Sequence, residues 1–153
     1  MTAAALLAEA ASTLAAAGVP SPQWDAERLL LHVLGGDRAR LVADPARPVP
    51  AEAEERFRGL VARRAAREPL QHVVGTQAFW RHDFLVTPDV LIPRPETELL
   101  VETALELLEG VERPVIVDVG TGSGCIALSI ATERPDAVVY GTDVSRPALE
   151  VAL

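Results

Sequence analysis

Lysine is absent from the 153-residue chain, cysteine occurs once, and no apolar run approaches the length of a membrane span. Each shortage excludes something. The single Cys125 rules out an internal disulfide framework and fits a reducing compartment. No basic stretch leads into a long apolar run near the N-terminus, so a signal peptide is not expected and a cytoplasmic location is. His32, His72 and His82 are scattered without metal-ligand spacing and are read as structural or surface residues, so no metal site is expected. The missing lysine, with heavy Ala and Arg usage, reflects a GC-rich genome rather than a function. No internal repeat stands out, and only the first helix is compositionally biased.

What is present is enough apolar sequence for a packed core, 49% of residues, with moderate charge. The net charge of −8 is unevenly placed. Residues 1–75 hold nine acidic residues and nine Arg, whereas residues 76–153 hold thirteen acidic residues and five Arg. An acidic second half argues against direct binding to nucleic-acid phosphates, and no membrane partner is expected.

Three segments follow along the chain. Residues 1–67 read as a small helical bundle. An Ala/Leu-rich helix over 2–17 stops at Gly18. Ser21-Pro22 reads as an N-cap and first helical residue, opening a helix whose apolar face is Trp24, Leu30, Leu31 and Leu34. Asp37 caps a short helix through Leu41, and Asp44–Pro50 is a linker. A helix from Ala51 to about Arg67 buries Ala53, Phe57, Leu60 and Val61 at i, i+4, i+7 and i+8. Residues 68–95 read as a β-hairpin and proline-rich linker. β-like runs at 70–74 and 77–86 flank Gly75, and Pro88, Pro93 and Pro95 keep the next stretch extended. Residues 96–153 begin an α/β domain with a Rossmann-like sheet. A helix from about Glu96 to Glu109 places Leu100, Thr103, Leu107 and Leu108 on one face. Strand Val115–Val119, a helix from about Gly124 to Thr132, strand Ala137–Thr142 and a last helix opening at Pro147 follow.

The chemistry concentrates at Asp118-Val119-Gly120-Thr121-Gly122-Ser123-Gly124-Cys125, where a buried strand runs into a glycine-rich turn and then a helix. Glycines admit positive φ and close approach of a ligand. The helix start offers unpaired N–H groups and the positive end of its dipole. The spacing G-x-G-x-G departs from the dinucleotide pattern G-x-G-x-x-G, because Cys125 stands where the third glycine belongs. That disfavours a nicotinamide oxidoreductase. Asp143, nineteen residues after Gly124, ends the next strand, where an acid can accept both hydroxyls of a ribose. Turn, helix start and strand-end acid describe a nucleoside site without a pyrophosphate, a description that fits S-adenosylmethionine. The bland alternative is a tight strand-to-helix turn with no ligand.

The Asp118–Gly124 segment resembles motif I of class I methyltransferases. Leu91-Ile92-Pro93-Arg94-Pro95-Glu96-Thr97-Glu98, together with Glu68-Pro69-Leu70-Gln71 and Phe79-Trp80, is more selective. These residues resemble the protein-glutamine N5-methyltransferases of peptide chain release factors, the PrmC or HemK family, and the likeness spans the chain. It implies transfer of a methyl group from S-adenosylmethionine to the Gln side-chain amide of a release factor Gly-Gly-Gln motif, a modification of the translation termination machinery. An amide nitrogen is a poor nucleophile, since its lone pair is delocalised, so catalysis rests largely on positioning. In the family an Asn-Pro-Pro-Tyr motif holds that amide. The motif is missing here, and the resemblance implies a truncated chain with an incomplete sheet, no catalytic residue of its own and no activity alone.

Carried over residue by residue, the resemblance assigns Gly120, Thr121, Gly122, Ser123 and Gly124 to the methionine part of the cofactor and Asp143 to the ribose. Asp118 reaches the cofactor's amino group through water, and Arg94, Glu96 and Thr97 line the entrance. Glu96 and Thr97 are equally explained as helix openers. Residues 1–67 become a substrate-recognition domain, the partner a release factor, and the full-length protein a monomer. Two alternatives stay open: a same-family enzyme acting on a ribosomal-protein Gln, or a non-catalytic release-factor-binding module. Cys125 is read as a small buried hydrophobe rather than a reactive thiol. Arg56, Arg58, Arg63, Arg64 and Arg67 form either a solvated helix face or a surface for the partner. Trp24 is read as core.

Overall fold

Helix α1, Ala3–Ala16, begins where Thr2 accepts the Ala5 N–H on its hydroxyl, a side-chain cap for a donor that has no partner inside the helix. It ends on Gly18, whose φ of +72° closes the turn while the Val19 N–H donates to the Leu14 carbonyl. The computed structural model describes residues 1–153 apart from the side chain of Arg40. The chain forms two compact units, Met1–Val74 and Gly75–Leu153.

The first unit adds α2 (Pro22–Leu34), α3 (Arg38–Ala43), α4 (Ala51–Ala65) and α5 (Leu70–Val74). Leu6, Leu14, Leu29, Leu30 and Phe57 are its largest fully enclosed apolar side chains. The α4 stripe stands as expected: Phe57 and Val61 are buried, with Ala53 and Leu60 packed against them. Ser21 holds the N-cap position of α2 and Pro22 opens the helix, as expected, although Ser21 makes no side-chain cap bond. Two expectations are corrected. Trp24 lies outside the core at 53% exposure, beneath the Arg28 guanidinium, because α2 turns Ala26, Leu29 and Leu30 inward instead. Residues 70–74 are helical rather than β-like: Pro69 opens a turn in which Leu70 and Val73, three apart, are both buried. The Asp44–Pro50 linker is tied down as well. Its Pro45 and Arg47 carbonyls accept N–H groups of Ala4 and Ala3, and Val49 is buried.

The second unit opens with an antiparallel hairpin, β1 (Thr76–Phe79) and β2 (His82–Leu85), paired from Thr76↔Leu85 to Phe79↔His82. The turn therefore falls on Trp80-Arg81 rather than Gly75. Trp80 holds φ +55°, an unusual value for a residue with a side chain. It is fixed at both ends: its backbone N–H donates to Glu98 (2.7 Å) and its indole N–H to Glu133 (2.8 Å). A short 3-10 turn, Pro95–Thr97, leads into α6 (Glu98–Leu107). Strand β3 (Val115–Val119), α7 (Cys125–Glu133), β4 (Val138–Thr142) and α8 (Arg146–Ala152) complete the unit. β3 and β4 are parallel, with Val115 opposite Val138 and Val119 opposite Thr142. Phe79, Phe84, Val101, Cys125 and Ile130 form the core, joined by Ile116 from β3.

The apolar stripe expected on α6 is corrected. Leu100 and Leu107 are 54% and 77% exposed, while Val101 is fully buried with Ala104, Leu105 and Leu108 beside it. Helix α6 carries two apolar stripes, and packing against α7 selects the one that periodicity alone could not. Arg134 closes the far end of α6, donating to the Leu108 and Val111 carbonyls and to Asp136. No described helix is long and apolar enough to cross a membrane.

Candidate functional site

The glycine turn is held between the ends of two parallel strands. Beyond Val119 the Gly120 and Thr121 N–H groups both donate to the Thr142 carbonyl at 2.8 Å. Gly120, Gly122 and Gly124 all have positive φ, at +79°, +54° and +77°, values at which a side chain is strained. The three do different work. A Cβ on Gly120 or Gly122 would meet nothing within 4 Å, so these positions leave open space beside the backbone. A Cβ on Gly124 would stand 3.2 Å from both Ala152 Cβ and Leu128 Cδ1. Gly124 is thus required for helix packing, whatever the turn binds.

Two carboxylates organise the turn. Thr121 donates its hydroxyl to Asp118 Oδ2 at 2.7 Å, and the Thr142 hydroxyl donates to the Asp118 carbonyl at 3.2 Å. Asp143 receives the Gly122 N–H on Oδ2 and the Ser145 N–H on Oδ1, both at 2.9 Å. These backbone donors, Ser145 first and Gly122 next, hold the Asp143 carboxyl below the usual aspartate range. Each oxygen retains a second lone pair, so the ionised group can still accept ribose hydroxyls. Ser123 is 4% exposed, and its hydroxyl lies beside the Cys125 thiol with no nitrogen or oxygen partner among the described residues. Cys125 is buried, and that burial pushes its thiol pKa upward, as for an inert packing residue rather than a nucleophile.

The structure thus brings Asp118, Gly120, Thr121, Gly122, Ser123, Gly124 and Asp143 into one turn. Arg94 precedes the 3-10 turn before α6 and Thr97 ends it, and neither caps a helix with its side chain. Among the described residues no hydrogen bond or ion pair joins Arg94, Glu96 or Thr97 to the glycine turn. An apolar cavity of about 330 Å³ is lined by Thr121, Gly124, Leu128, Gly141, Leu149 and Ala152 among others. Asp118, Ser123 and Asp143 are not in its wall, so it is a packing gap between α7, α8 and β4 rather than the polar site.

Sequence reasoning passed over Gly141, Thr142 and Ser145. Ser145 both donates to Asp143 and accepts the Ala148 N–H as the cap of α8. Its place before Pro147 was a readable cap signal. Gly141 sits mid-strand, where glycine commonly marks close backbone approach.

The arginines on and just after α4 are engaged within the first unit. Arg58 pairs with Glu9 and Glu54, Arg63 with Glu68, and Arg64 with buried Asp25. Arg67 donates to the Gly18 carbonyl. Four of the five side chains hold the first unit together. No group of His, Cys, Asp and Glu able to hold a metal ion occurs among the described residues.

Comparison with known proteins agrees with this division. Residues 5–75 match the family described as PrmC N-terminal domain, and residues 95–153 match the methyltransferase small domain. The release factor glutamine methyltransferase of Burkholderia pseudomallei is 51% identical over 133 residues, covering 87% of this chain and 47% of that protein. Proteins of the same name from Koribacter versatilis and Cereibacter sphaeroides are 48% and 46% identical. Those matches cover 91% and 99% of this chain, and 50% and 53% of the relatives. The chain spans about half the length of the curated relatives it matches.

Proposed function

Because the chain belongs to the release factor glutamine methyltransferase family, we propose that its glycine turn and Asp143 form an S-adenosylmethionine site. That site serves methylation of the Gln side-chain amide in the Gly-Gly-Gln motif of peptide chain release factors. When bound, S-adenosylmethionine supplies an electrophilic methyl group on a sulfonium.

The observation that carries the proposal is the Asp143 carboxylate fixed against the turn by the Gly122 N–H at 2.9 Å. This bond sets the strand-end acid beside the open backbone of Gly120 and Gly122, where ribose and amino-acid tail would share one turn. The depressed carboxyl keeps Asp143 an acceptor at neutral pH. Ser123 contributes a buried hydroxyl with no nitrogen or oxygen partner among the described residues. The absence of a G-x-G-x-x-G spacing argues for a ligand without a pyrophosphate. Asp118, Gly120, Thr121, Gly122, Ser123 and Asp143 are the residues proposed to hold the cofactor, with Gly124 shaping the turn.

Orientation of the amide falls outside these residues, since no Asn-Pro-Pro-Tyr segment occurs in the sequence. The 153-residue chain is therefore proposed to bind cofactor without turning over. Calorimetry with S-adenosylmethionine and with NAD tests the site. Binding of the first, lost in Asp143→Ala, is expected; preference for NAD, or equal binding by Asp143→Ala, overturns the proposal. Methylation of a release factor by the 153-residue chain alone would overturn the second statement.

A further inference from the structure

Gly141 is the one glycine in β4, and its hydrogen side chain faces Thr121. A Cβ built there would lie 3.0 Å from Thr121 Oγ1, 3.2 Å from its Cγ2 and 3.3 Å from its Cβ. The Thr121 backbone cannot back away easily. Its side chain is β-branched and stiff at χ1, the residue is 6% exposed, and its N–H is anchored to the Thr142 carbonyl at 2.8 Å. Thr121 also borders the apolar cavity, which leaves its side chain room to turn, and its hydroxyl donates to Asp118 Oδ2 at 2.7 Å. A methyl group on residue 141 would displace Thr121 by a few tenths of an ångström or turn it to another rotamer. Either movement disturbs the only side-chain bond that orients the Asp118 carboxylate among the described residues.

We infer that Gly141 is a positioning residue: by leaving room for Thr121 it sets the Asp118 carboxylate toward the amino-acid tail of the bound cofactor. The inference rests on the S-adenosylmethionine reading of the turn, and in particular on Asp118 serving the tail. Gly141 itself touches no ligand. Its effect runs through Thr121 to Asp118, at one end of the cofactor only. The ribose end is held separately by Asp143, so the two ends of the ligand respond independently.

The test compares S-adenosylmethionine with 5′-methylthioadenosine, which keeps the nucleoside and lacks the amino-acid tail. Both affinities are measured by calorimetry on the 153-residue chain, with melting curves for every variant. Gly141→Ala is expected to weaken S-adenosylmethionine about three- to tenfold, the worth of one oriented hydrogen bond, and to leave 5′-methylthioadenosine unchanged. Gly141→Ala/Thr121→Ser removes Cγ2 while keeping the hydroxyl, and is expected to recover most of the loss. Thr121→Val keeps the shape without the hydroxyl and should reproduce the Gly141→Ala pattern, which carries the test should Gly141→Ala fail to fold.

Asp118→Ala separates the two layers of argument. Should it lose the preference for S-adenosylmethionine while Gly141→Ala and Thr121→Val both keep it, the role of Gly141 is overturned and the cofactor reading stands. Should Asp118→Ala itself keep the preference, the reading of Asp118 falls and this inference with it. Equal weakening of both ligands by Gly141→Ala would mark a purely structural role and overturn the inference.

Discussion

Asp25→Asn is expected to unfold the first unit at a much lower temperature. Asp25 and Arg64 have side chains 6% and 14% exposed, with Arg64 Nε 2.6 Å from Asp25 Oδ2. Arg64 also donates to the Glu68 carbonyl at 2.8 Å, so its position is fixed from both sides. Removing one charge of a fully buried pair costs about 3–5 kcal/mol, because the other stays uncompensated. Arg64 keeps its carbonyl partner and some water, which brings the expectation to about 2–3 kcal/mol. For a domain of this size that is a fall in midpoint of about 10–20 °C. Far-UV circular dichroism follows it, since the long helices lie in the first unit. A companion variant sharpens the measurement. Asp25→Leu/Arg64→Met replaces the pair by apolar side chains and should melt above either single replacement, because no buried charge is left alone. A shift below about 2 °C for Asp25→Asn would place the pair among surface ion pairs and refute the reasoning.

Gly124→Ala should destabilise the second unit more than Gly122→Ala in thermal melts. Both need positive φ, at about 1–2 kcal/mol, but only Gly124 adds the 3.2 Å approach to Ala152 and Leu128. The Asp143 carboxyl is depressed in the folded state, so its contribution to stability is complete above about pH 4, the ordinary aspartate value, and is lost as pH falls through the lowered one. Asp143→Asn should therefore flatten the acid limb of a plot of urea midpoint against pH; an unchanged limb would count against the Gly122 and Ser145 bonds. Val115, Val117, Val119, Val138 and Tyr140 are exposed along one face of the parallel sheet, a kind of sheet normally covered on both faces. Sedimentation velocity should show concentration-dependent association of the 153-residue chain, reduced in Val117→Thr/Val119→Thr.

How far the molecule could be read in advance varied by element. The order β3–turn–α7–β4 was legible to within a residue, because apolar runs, glycine spacing and a strand-end acid are local signals. So was the α4 stripe, where four apolar residues at helical spacing leave one choice of face. The burial expected of β3 was not met: Val115, Val117 and Val119 are exposed. The α6 face was misjudged, since Leu100, Val101, Ala104, Leu107 and Leu108 supply two overlapping stripes. The hairpin was displaced because Trp80 at φ +55° violates the usual turn chemistry, and its compensation by Glu98 and Glu133 lies 18 and 53 residues away. The clustered arginines keep a largely solvated face, with Arg56, Arg58, Arg63 and Arg67 exposed; only Arg64 is turned inward, by its pair with buried Asp25.

Sequence alone determined most of the kinds of element, residues 70–74 excepted, the order of helices followed by βαβ, and the residues of the glycine turn. These depend on near neighbours, through backbone preference and periodic burial. Tertiary structure decided which apolar stripe of α6 is buried, that Gly124 serves packing while Gly120 and Gly122 keep space open, and that Gly141 gives Thr121 its place beside Asp118. Those outcomes depend on atoms brought together from separate elements, and no local pattern encodes a distance of 3 Å between β4 and the turn after β3.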